Sequence, residues 1–130
     1  MIYLLDTDTV SHIVRKHAPV IKNLINHEND EICISAVTNA ELSYGLEKKQ
    51  SERLYNEVRS VVGKCTIIDF DESQSEIYGK IRLELEKTGT PLGDMDMLIA
   101  AAALSTGAIL VTHNKKHFSK IKNLKSEDWC

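Results

Sequence analysis

Two carboxylates one residue apart, Asp94 and Asp96, stand at the mouth of "MLIAAAALSTGAILVT", a stretch apolar enough to be buried. In a helix, residues two apart point about 200° away from each other, so these two acids cannot share a cleft and need different roles. Asp94, directly after Gly93, is placed to cap the helix start. Asp96, inside the first turn, either complements the helix dipole or serves a site. Two further acids stand out: Asp6, directly after the apolar "IYLL", and Glu41, flanked by Ala40 and Leu42, whose ordinary alternative is a solvated helix face. If Asp6, Glu41 and Asp96 converge, they repel one another and raise each other's pKa unless a cation intervenes. The matching cation is hard and oxygen-loving, Mg²⁺ or Mn²⁺, held by few carboxylates and several waters. Such an ion activates water and stabilises developing oxyanion charge, which is hydrolytic chemistry.

The surrounding elements decide whether convergence is possible. "IYLL" reads as a strand buried on both faces, after which Thr7 or Asp8 can cap a helix carrying Val10, Ile13 and Val14. Pro19 opens a second helix with Val20, Ile21, Leu24 and Ile25 on one side. "EICIS" is strand-like, "AVTNAELSYGLEKK" helical, and a helix from about Ser51 to Val62 turns Leu54, Val58 and Val61 inward. "CTIIDF" reads as a third strand and "ESQSEIYGKIRLELEKTG" as a long helix stopped by Gly89. Pro91 and Gly93 make a turn, Met95 to Ser105 a helix stopped by Gly107, and "AILVT" a fourth strand. Strands alternating with helices predict an α/β fold, a three-layer α/β/α sandwich with a mainly parallel central sheet, formed by residues 1–130 as one unit. In such sheets ligands collect at the carboxyl ends of strands, which selects Asp6-Thr7-Asp8, Ser35 onward, Asp69-Phe70-Asp71 and Thr112-His113-Asn114. Hydroxyls there (Thr7, Ser35, Thr38) are caps or contacts to metal water and phosphate.

Composition sets the outer bounds. A chain of 130 residues with 42% hydrophobic and 27% charged residues can bury a core without metal or disulfide support. A net charge of −3 argues against bulk electrostatic binding of nucleic acid. Cys33, Cys65 and Cys130 are odd in number and far apart, which fits a reducing, cytoplasmic compartment, with Cys33 and Cys65 as inert core thiols. No apolar run reaches the roughly 18 residues that span a bilayer.

Taken together, "YLLDTDTVSHIVR", "ISAVTNAELSYGL", "PLGDMDMLIAAAALSTGAILVTHNKKHF" and "LKSEDW" resemble, in order and over nearly the whole chain, the PIN-domain endoribonucleases, and more narrowly the VapC toxins of bacterial VapBC toxin–antitoxin pairs. The resemblance implies Asp6, Glu41 and Asp96 as the three core acids. Asp6 and Asp96 then bind the principal metal, with Glu41 binding through water or positioning the nucleophile, and Asp94 caps or supports. The family commonly carries a fourth acid after the last core strand. Asn114 stands there and keeps an oxygen ligand without the charge. The resemblance further implies a structured RNA substrate, with a tRNA anticodon loop expected, and a VapB antitoxin that lies along the groove. It also implies a homodimer within a toxin–antitoxin assembly, and DNA contact only through the antitoxin.

An anionic substrate needs cations beside the acids. Arg15, Lys16 and His17 follow the first acidic turn, and Lys115, Lys116, Lys120, Lys122 and Lys125 precede Glu127; each cluster is either a solvated face or a set of phosphate contacts. His113 and His117 read as surface or structural. The apolar sides of Val20 to Ile25 and Leu54 to Val62 are either core or interface, and Trp129 either a packing anchor or an interface aromatic. Two other readings compete. A phosphoacceptor receiver would use Asp6, Asp69 and Lys115 but leaves Glu41 and Asp96 idle. A PIN-fold binding module without catalysis is suggested only by Asn114.

Overall fold

The computed structural model describes residues 1–90 and 92–130, so the turn expected at Pro91 lies outside the described residues. Five strands, β1 (Ile2–Leu5), β2 (Glu31–Ser35), β3 (Thr66–Ile68), β4 (Ile109–Val111) and β5 (Ser126–Glu127), form a wholly parallel sheet in the order β3-β2-β1-β4-β5. The central strand β1 pairs Leu4 with Cys33 on one side and with Leu110 on the other, which explains why "IYLL" has no polar position after its first residue.

Among the described residues, seven helices cover the sheet: α1 (Thr7–Val14), α2 (Ala18–Asn26), α3 (Ala36–Lys49), α4 (Glu52–Val62), α5 (Glu72–Thr88), α6 (Asp94–Thr106) and α7 (Lys115–Phe118). Strand alternation sends Tyr3, Leu5, Ile34, Ile109 and Val111 to one face, where they meet Val10 and Ile13 of α1, Val20 of α2, and Val58 and Val62 of α4. Leu4, Cys33 and Leu110 point to the other face, against Ile81 and Leu85 of α5, the alanines of α6 and Phe118 of α7. The expected three layers are therefore present. The segments Val20 to Ile25 and Leu54 to Val62 give their buried residues to the core, with Ile25 left 60% exposed. Trp129 is an anchor: it is buried, stacks on His27 at 4.8 Å and meets Tyr3 at 5.5 Å.

The chain steps from β1 outward through β2 to β3, then crosses back to place β4 and β5 on the other side of β1. That reversal opens a crevice at the carboxyl ends of β1 and β4, the usual ligand position in open α/β sheets. α3 spans the two layers beside it. Val37 packs with the α6 cluster and Leu42 and Leu46 with the α4 cluster, and α3 contacts both helices. Arg59 fastens α4 to α3 by donating to Asn39 Oδ1 at 3.1 Å and Ser43 Oγ at 3.0 Å.

Three local expectations change. The cap of α1 is Asp6 rather than Thr7 or Asp8, because its carboxylate accepts from the Thr9 N–H at 2.8 Å. The third strand is limited to Thr66–Ile68, at a sheet edge where few partners extend it. A two-residue β5 and the single-turn α7 are additional, both too short to carry a hydrophobic period.

Candidate active site

Asp6 ends β1 and opens α1, so one residue both caps a helix and stands at the crevice. Its backbone N–H donates to the Val111 carbonyl at 3.0 Å, and the Thr9 hydroxyl donates to the same carbonyl at 3.1 Å, tying the end of β1 to β4. The side chain is 5% exposed. Burial pushes its pKa up, and the charge of Asp8 adds to this; hydrogen bonds from Thr112 and Thr9 oppose the rise without cancelling it. Thr112, fully buried at the end of β4, also accepts the Asn114 N–H at 3.0 Å.

Asp96 sits in the first turn of α6, half-buried. Its pKa is raised first by burial, then by the charges of Glu41, Asp6 and Asp8, while His117 pulls it down. Glu41 reaches the crevice from α3, where the Thr7 hydroxyl donates to its Oε1 and lies 3.3 Å from the Thr38 hydroxyl. Ser35 and Thr38 themselves act locally, Ser35 Oγ capping α3 by accepting from Thr38 N at 3.1 Å. Three acids from three elements thus bear on one crevice.

Asp94 belongs elsewhere. Gly93 occupies the cap position of α6, and Asp94 turns toward α5, accepting from the Tyr78 hydroxyl at 3.1 Å with Arg82 at 3.7 Å. It neither caps nor supports the site but clips α6 to α5. The opposed directions expected of Asp94 and Asp96 are the directions seen. Asn114 is exposed and precedes α7 without a side-chain cap bond; its carbonyl accepts the His117 N–H at 2.9 Å. Asp69 follows the edge strand β3, two strands from Asp6, roughly 10 Å at ordinary strand spacing, so the receiver arrangement does not form.

Of the expected cations, Arg15 lies best. With Lys49 it lines a cleft of about 330 Å³ whose walls include Thr7, Glu41, Leu42 and Leu54. Lys16 instead faces a hollow beside α2, and Lys120 a hollow between α5 and the segment after α7. Lys115 and Lys116 are exposed on the first turn of α7. Lys49 was missed by sequence reasoning, while Thr112 was selected there only as a strand-end position and His117 read only as surface or structural. Only Thr112, at a strand's carboxyl end, carried a positional signal.

The donors Asp6, Glu41 and Asp96 are all hard oxygens; burial first holds Asp6 and Asp96 above the ordinary carboxylate pKa, with Asp8 adding to the rise of Asp6 and Glu41, Asp6 and Asp8 to that of Asp96. That set fits a hard divalent cation. Their ligand atoms do not all lie within 4.8 Å of one another, so an ion here would complete its shell with water.

The profile described as PIN domain matches residues 3–124. The chain belongs to the PIN-domain family. Within it, the chain groups with the VapC proteins. It is 35% identical over 129 residues to the tRNA(fMet)-specific endonuclease VapC of Salmonella typhimurium, covering 98% of each chain. It is 38% identical over 132 residues to Ribonuclease VapC2 of Rickettsia felis, covering 99% of this chain and 98% of that one. The crystal structure of VapBC2 from Rickettsia felis bound to a promoter DNA fragment superposes with a TM-score of 0.94 over all of both chains, at 38% identity. That of DNA-bound VapBC from Salmonella typhimurium gives 0.91 at 33% identity, over 100% of this chain and 99% of that one. No helix of the described residues is long and apolar enough to cross a membrane.

Proposed function

We propose that this chain is the toxin of a toxin–antitoxin pair, a Mg²⁺-dependent endoribonuclease that hydrolyses a phosphodiester bond in a tRNA anticodon loop and thereby stops translation. The observation that carries the reading is the arrival of Asp6, Glu41 and Asp96 at one crevice from β1, α3 and α6. Family membership supports the RNA substrate, since relatives named ribonuclease VapC align with the whole chain, one of them named for tRNA(fMet).

A divalent ion held by Asp6 and Asp96 supplies Lewis acidity toward phosphoryl oxygens and a lowered pKa for bound water. The chain's residues do the positioning. Thr9 and Thr112 fix the Asp6 carboxylate, and Thr7 holds Glu41 where it can take a proton from water or bind the ion through water. Arg15 and Lys49 line the adjoining cleft, where they can neutralise flanking phosphates. Lys115 and Lys116 extend that cationic rim in this reading, and Lys16 and Lys120, at hollows away from the cleft, serve the longer RNA backbone. Asn114 leaves a second metal position short of charge. Residues 1–130 act as a single PIN unit. The partner is a VapB-type antitoxin, through which alone the chain meets DNA; the DNA-bound VapBC2 complex of Rickettsia felis supports a toxin–antitoxin assembly that binds DNA. In the cytoplasm the chain forms a homodimer and, with the antitoxin along its groove, a silenced toxin–antitoxin hetero-oligomer.

The test is incubation of the antitoxin-free chain with purified tRNA, with Mg²⁺ or with chelator, beside Asp96→Asn, followed by mapping of new 5′ ends. Discrete anticodon-loop cuts that need both metal and Asp96 are expected. Cuts that persist in chelator or in Asp96→Asn would refute the mechanism. Intact tRNA with cut ribosomal RNA would move the substrate, and binding without cleavage of either would favour the non-catalytic module.

A further inference from the structure

A second group of ligating side chains stands apart from the three acids. Trp129 is buried under the sheet's last strand, so its neighbours Asp128 and Cys130 project outward, as alternation along an extended segment requires. The turn after β4 brings His113 to meet them. A ring nitrogen of His113, a carboxylate oxygen of Asp128 and the Cys130 sulfur lie within 4.8 Å of one another. Among the described residues this is the only group of three or more such side chains so close together.

The trio is arranged rather than merely adjacent. Asp128 uses one oxygen to accept the Cys130 N–H at 2.9 Å and turns the other to His113 Nδ1 at 3.1 Å. Donor atoms about 2.0–2.1 Å from a tetrahedral ion stand roughly 3.3 Å apart, so an ion that displaces the proton shared by Nδ1 and this oxygen can be bound by both. His12, with its ring 6.3 Å from that of His113, donates its Nδ1–H to the Asp8 carbonyl at 2.7 Å, which leaves its Nε2 lone pair free. Sulfur, imidazole and carboxylate form a donor set that suits a borderline-soft ion and is a poor match to Mg²⁺.

We propose that His113, Asp128 and Cys130 form a binding site for a thiophilic divalent cation of the Zn²⁺ class, at the rim of the crevice and separate from the Asp6, Glu41 and Asp96 centre. A tetrahedral ion takes these three ligands and leaves the fourth position to water or to His12. The ion would staple the segment after β5 to the turn that carries Asn114 and α7.

The experiment is a titration of the reduced, metal-free full chain with Zn²⁺ against a chromophoric chelator in excess Mg²⁺, with Co²⁺ as a spectroscopic substitute. One Zn²⁺ per chain and a thiolate-to-cobalt charge-transfer band are expected, with an accompanying rise in Tm. Both signals should survive Asp96→Asn and vanish in Cys130→Ser, an exposed position where folding is unaffected. Loss of an outer-shell partner alone costs about 10–100-fold in metal affinity, so His113→Ala should weaken binding by no less. Zn²⁺ binding that persists in Cys130→Ser and disappears in Asp96→Asn would place the ion on the acids and overturn the proposal. So would the absence of a cobalt–thiolate band. RNA cleavage is not a readout here, so the result stands apart from the nuclease assay.

Discussion

Asp6 carries two demands that pull in opposite directions, and a pair of substitutions separates them. As a cap it accepts from Thr9 N, and as a buried carboxylate it is held above its ordinary pKa. Asn caps as well as Asp does, whereas Ala at a cap costs about 1 kcal/mol. Asp6→Asn should therefore leave Tm unchanged or raise it while abolishing cleavage. Asp6→Ala should abolish cleavage and also lower stability by about 1 kcal/mol, as read by chemical denaturation. Equal destabilisation by both would mean that the carboxylate charge itself holds the fold. Thr7 acts through its neighbour, since its hydroxyl donates to Glu41. Thr7→Val should lower kcat by roughly tenfold, about 1.4 kcal/mol of barrier, with little change in KM, and Thr7→Ser should restore it. A purely structural Thr7 would instead show a loss of Tm with kcat preserved.

Most helices and strands could be read from the chain because their signals are local. The stops at Gly89 and Gly107 are both left-handed, at φ 67° and 70°, and Ser51 and Asp71 cap α4 and α5 through side-chain acceptance. What could not be read depends on neighbours. β5 is two polar residues recruited by the edge of β4, and its existence rests on Lys125 and Glu127 carbonyls accepting from Leu110 and Thr112. That Asp96 faces the crevice while Asp94 turns away was legible because residues two apart on a helix point in opposed directions. The place of His117 beside Asp96 was not, because the packing of α7 brings it there. The local signals also predict opposite responses from two glycines. Neither a Cβ at Gly79 nor one at Gly107 meets any atom within 4 Å, so conformation alone decides. Gly79→Ala, inside α5, should stabilise by about 0.5–1 kcal/mol. Gly107→Ala, forced into a left-handed conformation, should destabilise by about 1–2 kcal/mol. Urea midpoints of the two variants check both signs, and a stabilised Gly107→Ala would refute the left-handed stop.

At the scale of the molecule, the fold concentrates acids at the switch between β1 and β4, and this shapes how stability responds to pH and metal. The pKa values of Asp6 and Asp96 are raised by folding, so their stabilising contribution is complete below the ordinary carboxylate value of 3.8 and is lost as pH rises through their folded values. Ionising either carboxyl works against burial, and for Asp96 also against the charges of Glu41, Asp6 and Asp8, so the free protein bears a cost for charge here. A divalent ion bound to the native state removes the repulsion and adds its binding energy. At one hundred times Kd the gain is about 2.7 kcal/mol, roughly 10 °C in Tm for a chain this size. Mg²⁺ should therefore raise Tm near pH 7.5. The rise should fade as the medium is acidified, and the fade should set in at a higher pH than for a carboxylate of ordinary pKa 3.8, because the raised carboxyls take up protons earlier. Asp96→Asn should start with a higher metal-free Tm at neutral pH and gain little from Mg²⁺. Differential scanning fluorimetry across pH, with and without Mg²⁺, reads both effects at once. A Mg²⁺ shift that is equal in Asp96→Asn, or that does not fade on acidification, would show the ion binding elsewhere and would detach the acid crevice from the metal.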